Sequence, residues 1–555
     1  MRVQKFKGIV PKYPSHLLGE GYAEVAHDVK LHNAQLAPYR TPLTVHTVPN
    51  GTKRIHQWGC CWFHWDKCVE VAEWHANCPR LMVTGDKPYP TVLAVNEDCS
   101  TGCDDSPEWR LGVPAPLGAP TVSDAKFTTP TNENWLPMSE KREKRNYVYT
   151  YVNCFDEEGP PSYPSRLIDV DDGETVVVSG FSKPPRHYGV KQINIYRSVT
   201  GQRSDKEAIG KVEFSTGHYL VGSIPIEAAT FVDKGYTVDV IGEGLNTQEV
   251  AEPPEGLRGI VAIPNMLVLA GFVGNTVCVS MNNQPYNWPE AHRYTLDDNI
   301  VSITPFLNYL LIATDGHPYV LEITNPSSTR EPHTVLRMDT PLPMVRCCDA
   351  QGAVAIDKGV AYVSDRGIVV LTPREPAIIS SAWFSKDDWR KLRPETMRLA
   401  WHDGGLYVTN DEHTFLFQLA DQTFGDASDH RVTTLSATPT TWHVNRQGNL
   451  FLLEGNQIKQ WDAGDSFMPY HWRSAEMLST RFGYFGALRL WGEGMVNVSL
   501  FAERKEVFKD IGVTPYQAHR LPRYGHHLSH QLAIKGTQEV TAIEFAPTLR
   551  DLARV

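Results

Sequence analysis

The sequence has no run of about 18 or more apolar residues, which excludes a membrane-spanning helix. Its opening, Met1-Arg-Val-Gln-Lys-Phe-Lys-Gly8, lacks the apolar stretch of a secretory leader, so the expectation is a chain made and kept in a cytoplasm. Cysteine is sparse, at 10 in 555 residues, and no Cys-x-x-Cys pair occurs. That excludes a disulfide scaffold and makes reduced, mostly buried thiols the simplest reading. Positive charge is not in excess: the formal net charge is −11. A sequence-independent duplex-binding surface needs a basic footprint and is therefore not expected. A passage through which nucleic acid slides without sticking is compatible with the same charge. There is no Gly-x-Ser-x-Gly, no P-loop, no Gly-x-Gly-x-x-Gly after a strand, and no repeated Ser-x-Asp-x-Gly-x-Thr-Trp box. The reading is of a protein that is not an enzyme and carries no cofactor.

What is present is a repeat. Paired apolar runs recur at Met266-Leu-Val-Leu-Ala and Thr276-Val-Cys-Val-Ser, Leu310-Leu-Ile-Ala-Thr and Tyr319-Val-Leu-Glu-Ile, and Val360-Ala-Tyr-Val-Ser and Gly367-Ile-Val-Val-Leu. They continue at Gly405-Leu-Tyr-Val-Thr and Phe415-Leu-Phe-Gln-Leu, and at Asn449-Leu-Phe-Leu-Leu and Gln457-Ile-Lys-Gln-Trp. The starts lie about 44 to 50 residues apart, and turns rich in Gly, Asp or Asn separate the runs. Strand pairs at that period mark β-propeller blades. The spacing predicts an all-β chain with a propeller of about six blades, closed by N- and C-terminal segments because closure removes an exposed edge.

The other boundaries follow composition. Residues 1–45 read as an extended arm. Residues 46–111, with Trp58, Trp62, Trp65 and Trp74, read as a first blade. Gly112-Val-Pro-Ala-Pro-Leu-Gly-Ala-Pro120 is an extended linker, because its prolines fix φ and give up ladder hydrogen bonds. It opens an insert over 112–250 whose short strands and turn clusters suggest a fibronectin III-like β-sandwich. The remaining blades occupy 251–474. One helix interrupts them, with Ser385 as its cap and Asp388 three residues on. A C-terminal β-sandwich fills 475–555.

Several groups have a chemical reading and a plainer one. Cys60, Cys61, His64, Cys68, His75 and Cys78 could supply zinc ligands, but successive strand residues point to opposite faces and the spacing matches no common site. Cys99 and Cys103 flank a loop in which a disulfide is an alternative to free thiols. His526, His527 and His530 suit either a metal or a solvated loop or subunit contact. Asp104-Asp105, Glu157-Glu158, Asp171-Asp172 and Asp297-Asp298 could pair for glycoside chemistry, though adjacent acids are more often turn residues. The tryptophans of the first blade could form a sugar platform, or could pack blade against blade. No catalytic, cofactor or metal residue is assigned.

Four segments, in order along nearly the whole chain, resemble the tail nozzle, or tail tubular protein B-like, proteins of short-tailed bacteriophages. The first is Phe6-Lys-Gly-Ile-Val-Pro, with Ala23-Glu-Val-Ala-His-Asp-Val-Lys-Leu and Gln35-Leu-Ala-Pro-Tyr-Arg. Here His27-Asp28-Val29 and Ala34-Gln35-Leu36 replace some of the usual residues. The second is Trp109-Arg-Leu-Gly-Val-Pro-Ala-Pro. The third joins Tyr286-Asn-Trp-Pro, Asn299-Ile-Val-Ser-Ile and Thr314-Asp-Gly-His-Pro-Tyr-Val-Leu. The fourth is Arg520-Leu-Pro, Gln531-Leu-Ala-Ile-Lys-Gly and Val540-Thr-Ala-Ile-Glu-Phe-Ala.

The resemblance implies a structural protein of the virion tail, assembled in the host bacterial cytoplasm. It implies a homohexamer below the portal and adaptor ring, with tail fibres or spikes on its side. Genomic DNA would be retained by, and ejected through, its lumen without tight binding. No catalytic residues come with the family. The alternative reading is a carbohydrate-binding or glycan-cleaving propeller of a phage fibre or spike. A third is a cytoplasmic scaffold that holds partners on the wheel.

Overall fold

The computed structural model describes residues 2–76, 78–94, 107–125, 143–170, 174–199, 217–235, 240, 243–264, 266–324, 333–335, 345–372, 376–419 and 431–552. The chain is all-β, and its helices are short. No helix among the described residues is long and apolar enough to cross a membrane.

Six four-stranded antiparallel meanders dominate the described residues. The first is Glu70–Trp74, Arg80–Thr84, Thr91–Ala94 and Glu108–Arg110. The second is Arg258–Ala262, Leu269–Val273, Thr276–Val279 and Arg293–Thr295. The third is Ile300–Phe306, Tyr309–Thr314, Tyr319–Thr324 and His333–Val335, and the fourth is Ala353–Ile356, Gly359–Ser364, Gly367–Leu371 and Pro376–Ile378. The fifth is Arg398–His402, Gly405–Thr409, Thr414–Gln418 and Arg431–Leu435. The sixth takes Thr441–Val444, Leu450–Glu454 and Gln457–Gln460 from the C-terminal half and its outer strand, Leu43–Thr47, from the N-terminal arm.

The middle strands are buried on both faces, so they read as continuous apolar runs rather than alternating ones. In Gly359–Ser364 every residue is buried. Alternation still operates within it: Val360 and Tyr362 join the core shared with the third meander, while Ala361 and Val363 join the core shared with the fifth. Leu450 and Leu452 likewise face the fifth meander, and Phe451 and Leu453 face the hairpin Arg54–Trp58/Cys61–Trp65. That hairpin packs its other side, through Trp58, Cys61 and Phe63, on Leu81 of the first meander. The first strands of the meanders touch in order, from Glu70–Trp74 round to Thr441–Val444 and on to Arg54–Trp58. The apolar interfaces therefore run in a cycle.

The expected first blade, 46–111, divides. Its hairpin is a separate two-stranded sheet, and the four-stranded unit begins only at Glu70. The expected boundary between residues 45 and 46 falls inside Leu43–Thr47, a strand that belongs to the sixth meander. Both differences arise because ladder partners are chosen across the whole chain, which local pattern does not reveal.

Within 112–250, two three-stranded sheets share one core. They are Thr121–Val122/Val176–Ser179/Thr230–Asp233 and Tyr147–Asn153/Val190–Ser198/His218–Pro225. Tyr147, Tyr149 and Tyr151 point into that core together with Val176, Val178, Ile193 and Ile195.

The C-terminal strands form two further layers. One continues the fifth meander through Ala23–His27 to Tyr470–Ser474, His527–Gly536, Val496–Ala502 and Lys505–Val513. The other holds Arg2–Val3, Val540–Ala546, Ala487–Gly492 and Ala518–Arg520. The arm is thus not a loose extension: Phe6, Val29, Leu31 and Leu36 are fully buried in the core between these layers. The predicted helix forms at Lys386–Lys391. The Ser385 hydroxyl accepts from the Asp388 amide at 3.1 Å and donates to its carboxylate at 2.6 Å.

Candidate functional site: a histidine seam

Glu73, His56, His75 and His443 gather where the hairpin meets the first and sixth meanders. Gly59, at φ +57°, makes the tight turn that lets Trp58 pair with Cys61. Alternation then divides the hairpin. Gln57 and its cross-strand partner Trp62 face the sixth meander, and His56 and Trp58 face the first.

On the first-meander side one carboxylate serves two imidazoles. Glu73 lies 3.1 Å from Nε2 of His56 and 3.0 Å from Nε2 of His75. Each ring must present an N–H there, because an ionised carboxylate only accepts. Arg446 of the sixth meander reaches Nδ1 of His75 at 3.4 Å, and the His75 ring stacks on Trp58 at 4.6 Å. Burial alone would raise the Glu73 carboxyl; the hydrogen bonds and charge of His56 and His75 carry it below the usual carboxylate range.

On the sixth-meander side the polarity reverses. The backbone N–H of Gln57 donates to Nε2 of His443 at 3.0 Å, so this ring nitrogen must carry no proton. Asn445 donates to the side-chain oxygen of Gln57 at 2.9 Å. The His443 and His56 rings are 4.9 Å apart, and Trp62 packs edge-on against His443 and Phe451. Burial, reinforced by His56 and Arg54, pushes His443 well below the ordinary histidine range. The arrangement can take up protons. It presents no nucleophile–base pair.

The other candidates resolve individually. Cys60 and Cys61 are disulfide-bonded, which corrects the reading of reduced thiols and removes both from any metal set. Cys68 and Cys78 are exposed free thiols, and His75 is engaged with Glu73. Cys99 and Cys103, Asp104-Asp105 and Asp171-Asp172 lie outside the described residues. Among the described residues, no group of three or more His, Cys, Asp or Glu side chains is arranged to hold a metal ion. His526, His527 and His530 instead join Tyr484, Phe485 and Tyr524 in an aromatic cluster. Trp58 and Trp74 are 4% and 3% exposed and pack sheet against sheet, whereas Trp62 and Trp65 are half-buried, Trp62 against His443 and Phe451.

The acid pairs are occupied too. Glu157 binds Arg80, and Glu158 accepts from the Tyr196 hydroxyl at 2.7 Å. Asp298 accepts from the His317 amide, the His317 ring and the Tyr319 hydroxyl at 2.9–3.1 Å. Sequence alone pointed to none of His56, Glu73 and His443. Nothing in local spacing brings residues 56, 73 and 443 together.

A cavity of about 520 Å³ opens between the arm and the C-terminal layers, beside Arg2, His16, Tyr22, Trp472 and Glu476. Glu476 is held there by Arg504 at 3.2 Å.

No protein family matches the chain, and no curated protein does. Among solved structures it is similar to the extracellular domain of BT4673 from B. thetaiotaomicron, with 11% identity over 69% of this chain and 48% of that one, and a TM-score of 0.25. It thus spans about half of that relative's length. It is also similar to the AfRom2 CNH domain, with 11% identity over 73% of this chain and 100% of that one, and a TM-score of 0.24. At these TM-scores neither likeness carries an argument.

Proposed function

We propose that the chain is a structural subunit of a short phage tail nozzle, built on a β-propeller of six four-stranded blades and one two-stranded hairpin. In this reading the insert is a fibronectin III-like sandwich and the C-terminal layers are a second sandwich. Six copies form a conduit below the portal and adaptor, retain the genome, release it on ejection and carry fibres.

The observation that carries the reading is the cycle of apolar interfaces, which the N-terminal hairpin Arg54–Trp58/Cys61–Trp65 completes by packing between the sixth and first meanders, while Leu43–Thr47 pairs with the outer edge of the sixth. A ring closed that way is stiff, and stiffness is what a wall under internal pressure needs. The segments that resemble nozzle proteins sit at structural junctions. Phe6 is fully buried in the core of the C-terminal layers. Trp109 is in the last strand of the first meander, and Trp288 is buried between the first two meanders. Six subunits at −11 each suit a lumen that must not hold DNA tightly. Disulfide-bonded Cys60 and Cys61 fit a particle that works outside the cell, where such bonds persist. A six-membered ring requires heterologous head-to-tail faces.

The test is quantitative mass spectrometry of DNA-filled particles from the producing culture. About six copies per particle is the expected result. A multiple of three well above six would favour a glycan-binding fibre or spike instead, and absence from particles would remove the structural reading.

A further inference from the structure

We propose that the hairpin Arg54–Trp58/Cys61–Trp65 is an acid-sensitive latch, which releases the sixth meander while staying on the first. The two sides of the hairpin respond to a proton differently.

Nε2 of His443 accepts the Gln57 amide proton. Protonating that nitrogen turns an acceptor into a donor, and two N–H groups then face one another. The bond cannot survive, and among the described residues no carboxylate is paired with His443 to receive the imidazolium. The groups facing it from the hairpin are His56 and Arg54, neither of them an acid. From the first meander, Glu73 and His75 stand behind His56 and are committed to each other. On the sixth meander itself the nearby charge is Arg446, which is positive. His46, on Leu43–Thr47, lies across Trp62 and adds no negative charge. Trp62 packs against the ring, Phe451 is its cross-strand partner and the Gln57 amide is its donor, and none of these compensates a cation.

The opposite side is not broken by a proton. A protonated His56 or His75 still donates to Glu73, now with charge assistance. Charging His56 also raises the repulsion on His443, 4.9 Å away. The joint therefore opens in one direction.

A histidine held neutral in the closed seam, and free to protonate near its ordinary 6.5 once released, takes up a proton on opening. The closed seam keeps its full stability above about pH 6.5 and loses about tenfold in its closed-to-open ratio for each pH unit below, until His443 protonates in place.

Hydrogen exchange read by mass spectrometry on the full chain tests this, with each rate divided by its intrinsic rate at that pH. Protection over residues 54–58 and 441–445 should fall about tenfold from pH 7.5 to 5.5, and protection over 70–84 should not change. In His443→Gln, whose amide oxygen accepts from Gln57 but does not titrate, the fall should disappear. Unchanged protection in the native chain overturns the latch, and so does an equal fall in the variant. If the variant is already open at pH 7.5, exchange at the imidazole C2 position of the native protein decides. A His443 that titrates below 6.5 supports the latch, and one at or above 6.5 overturns it.

Discussion

Arg80 and Glu157 form an ion pair 2.6 Å long, with side chains 3% and 7% exposed, between the second strand of the first meander and the turn after Tyr147–Asn153. Phe155, from the same turn, lies under the guanidinium at 4.3 Å. Asn153 donates to the second oxygen of Glu157 at 2.8 Å, so the carboxylate is fully engaged. This contact fixes the inserted sheets to the meander from which they depart.

Removing one partner strands the other charge in a dry site. Glu157→Ala should therefore cost about 3–5 kcal/mol, whereas Arg80→Met combined with Glu157→Leu should be far milder, because no charge is left unpaired. Denaturant unfolding of both proteins checks the contrast. Equal losses would show that the pair acts only through packing.

Closure by the arm has a measurable consequence. Deleting residues 2–47 removes the outer strand of the sixth meander and the buried Phe6, Val29, Leu31 and Leu36. The edge Gln457–Gln460 is then bare, and bare edges aggregate. A lower melting temperature with aggregation is expected by scanning calorimetry and light scattering. An equally stable protein that stays dispersed would show that the arm only decorates the meanders.

Gly8 makes a finer test of the same seam. The Ile9 amide donates to the Val432 carbonyl at 2.8 Å, and a Cβ on Gly8 would drive into the backbone of Val432. Gly8→Ala should cost about 1–3 kcal/mol, since backbone cannot swing aside as a side chain does. Denaturant unfolding reads this directly.

Asp298 gathers three donors at the third meander, first among them the His317 backbone amide, and these hold its carboxyl below the usual carboxylate range. A carboxylate depressed in the folded chain stabilises it above about pH 4, and that contribution fades as pH falls through the folded value. Asp298→Ala should lose about 1–2 kcal/mol at pH 7 and less at pH 3. A loss independent of pH would assign the effect to packing.

Thiol labelling separates the cysteines. In the unfolded, unreduced chain, alkylation should mark Cys68, Cys78, Cys154, Cys278, Cys347 and Cys348 and leave Cys60 and Cys61 unmarked. In the native chain, burial pushes the Cys278 thiol up to about 11 and Cys347 up to about 12, so both should stay unlabelled near pH 8 while Cys68 and Cys78 react. Peptide mass spectrometry gives the order.

Much of the strand content was legible because it is written locally. Val360–Ser364 and Gly367–Leu371 stand out as apolar runs between turn residues, and both become strands with every residue buried. The Ser385 cap was readable for the same reason, since its partner Asp388 is three residues away. The candidate site was barely legible. His75 and the tryptophans drew attention, but as zinc ligands or a sugar platform; no such metal set occurs among the described residues, and Trp58 and Trp74 are buried.

The sequence by itself determined where strands form, which runs lie buried on both faces and where turns fall, because side-chain periodicity and backbone preference act within a few residues. Only the tertiary structure decided which strand completes the sixth meander, which histidines share Glu73, and that Gln57 meets His443 across 386 positions of chain. Those partners are selected by the burial and hydrogen bonding of the whole fold, and no local spacing encodes them.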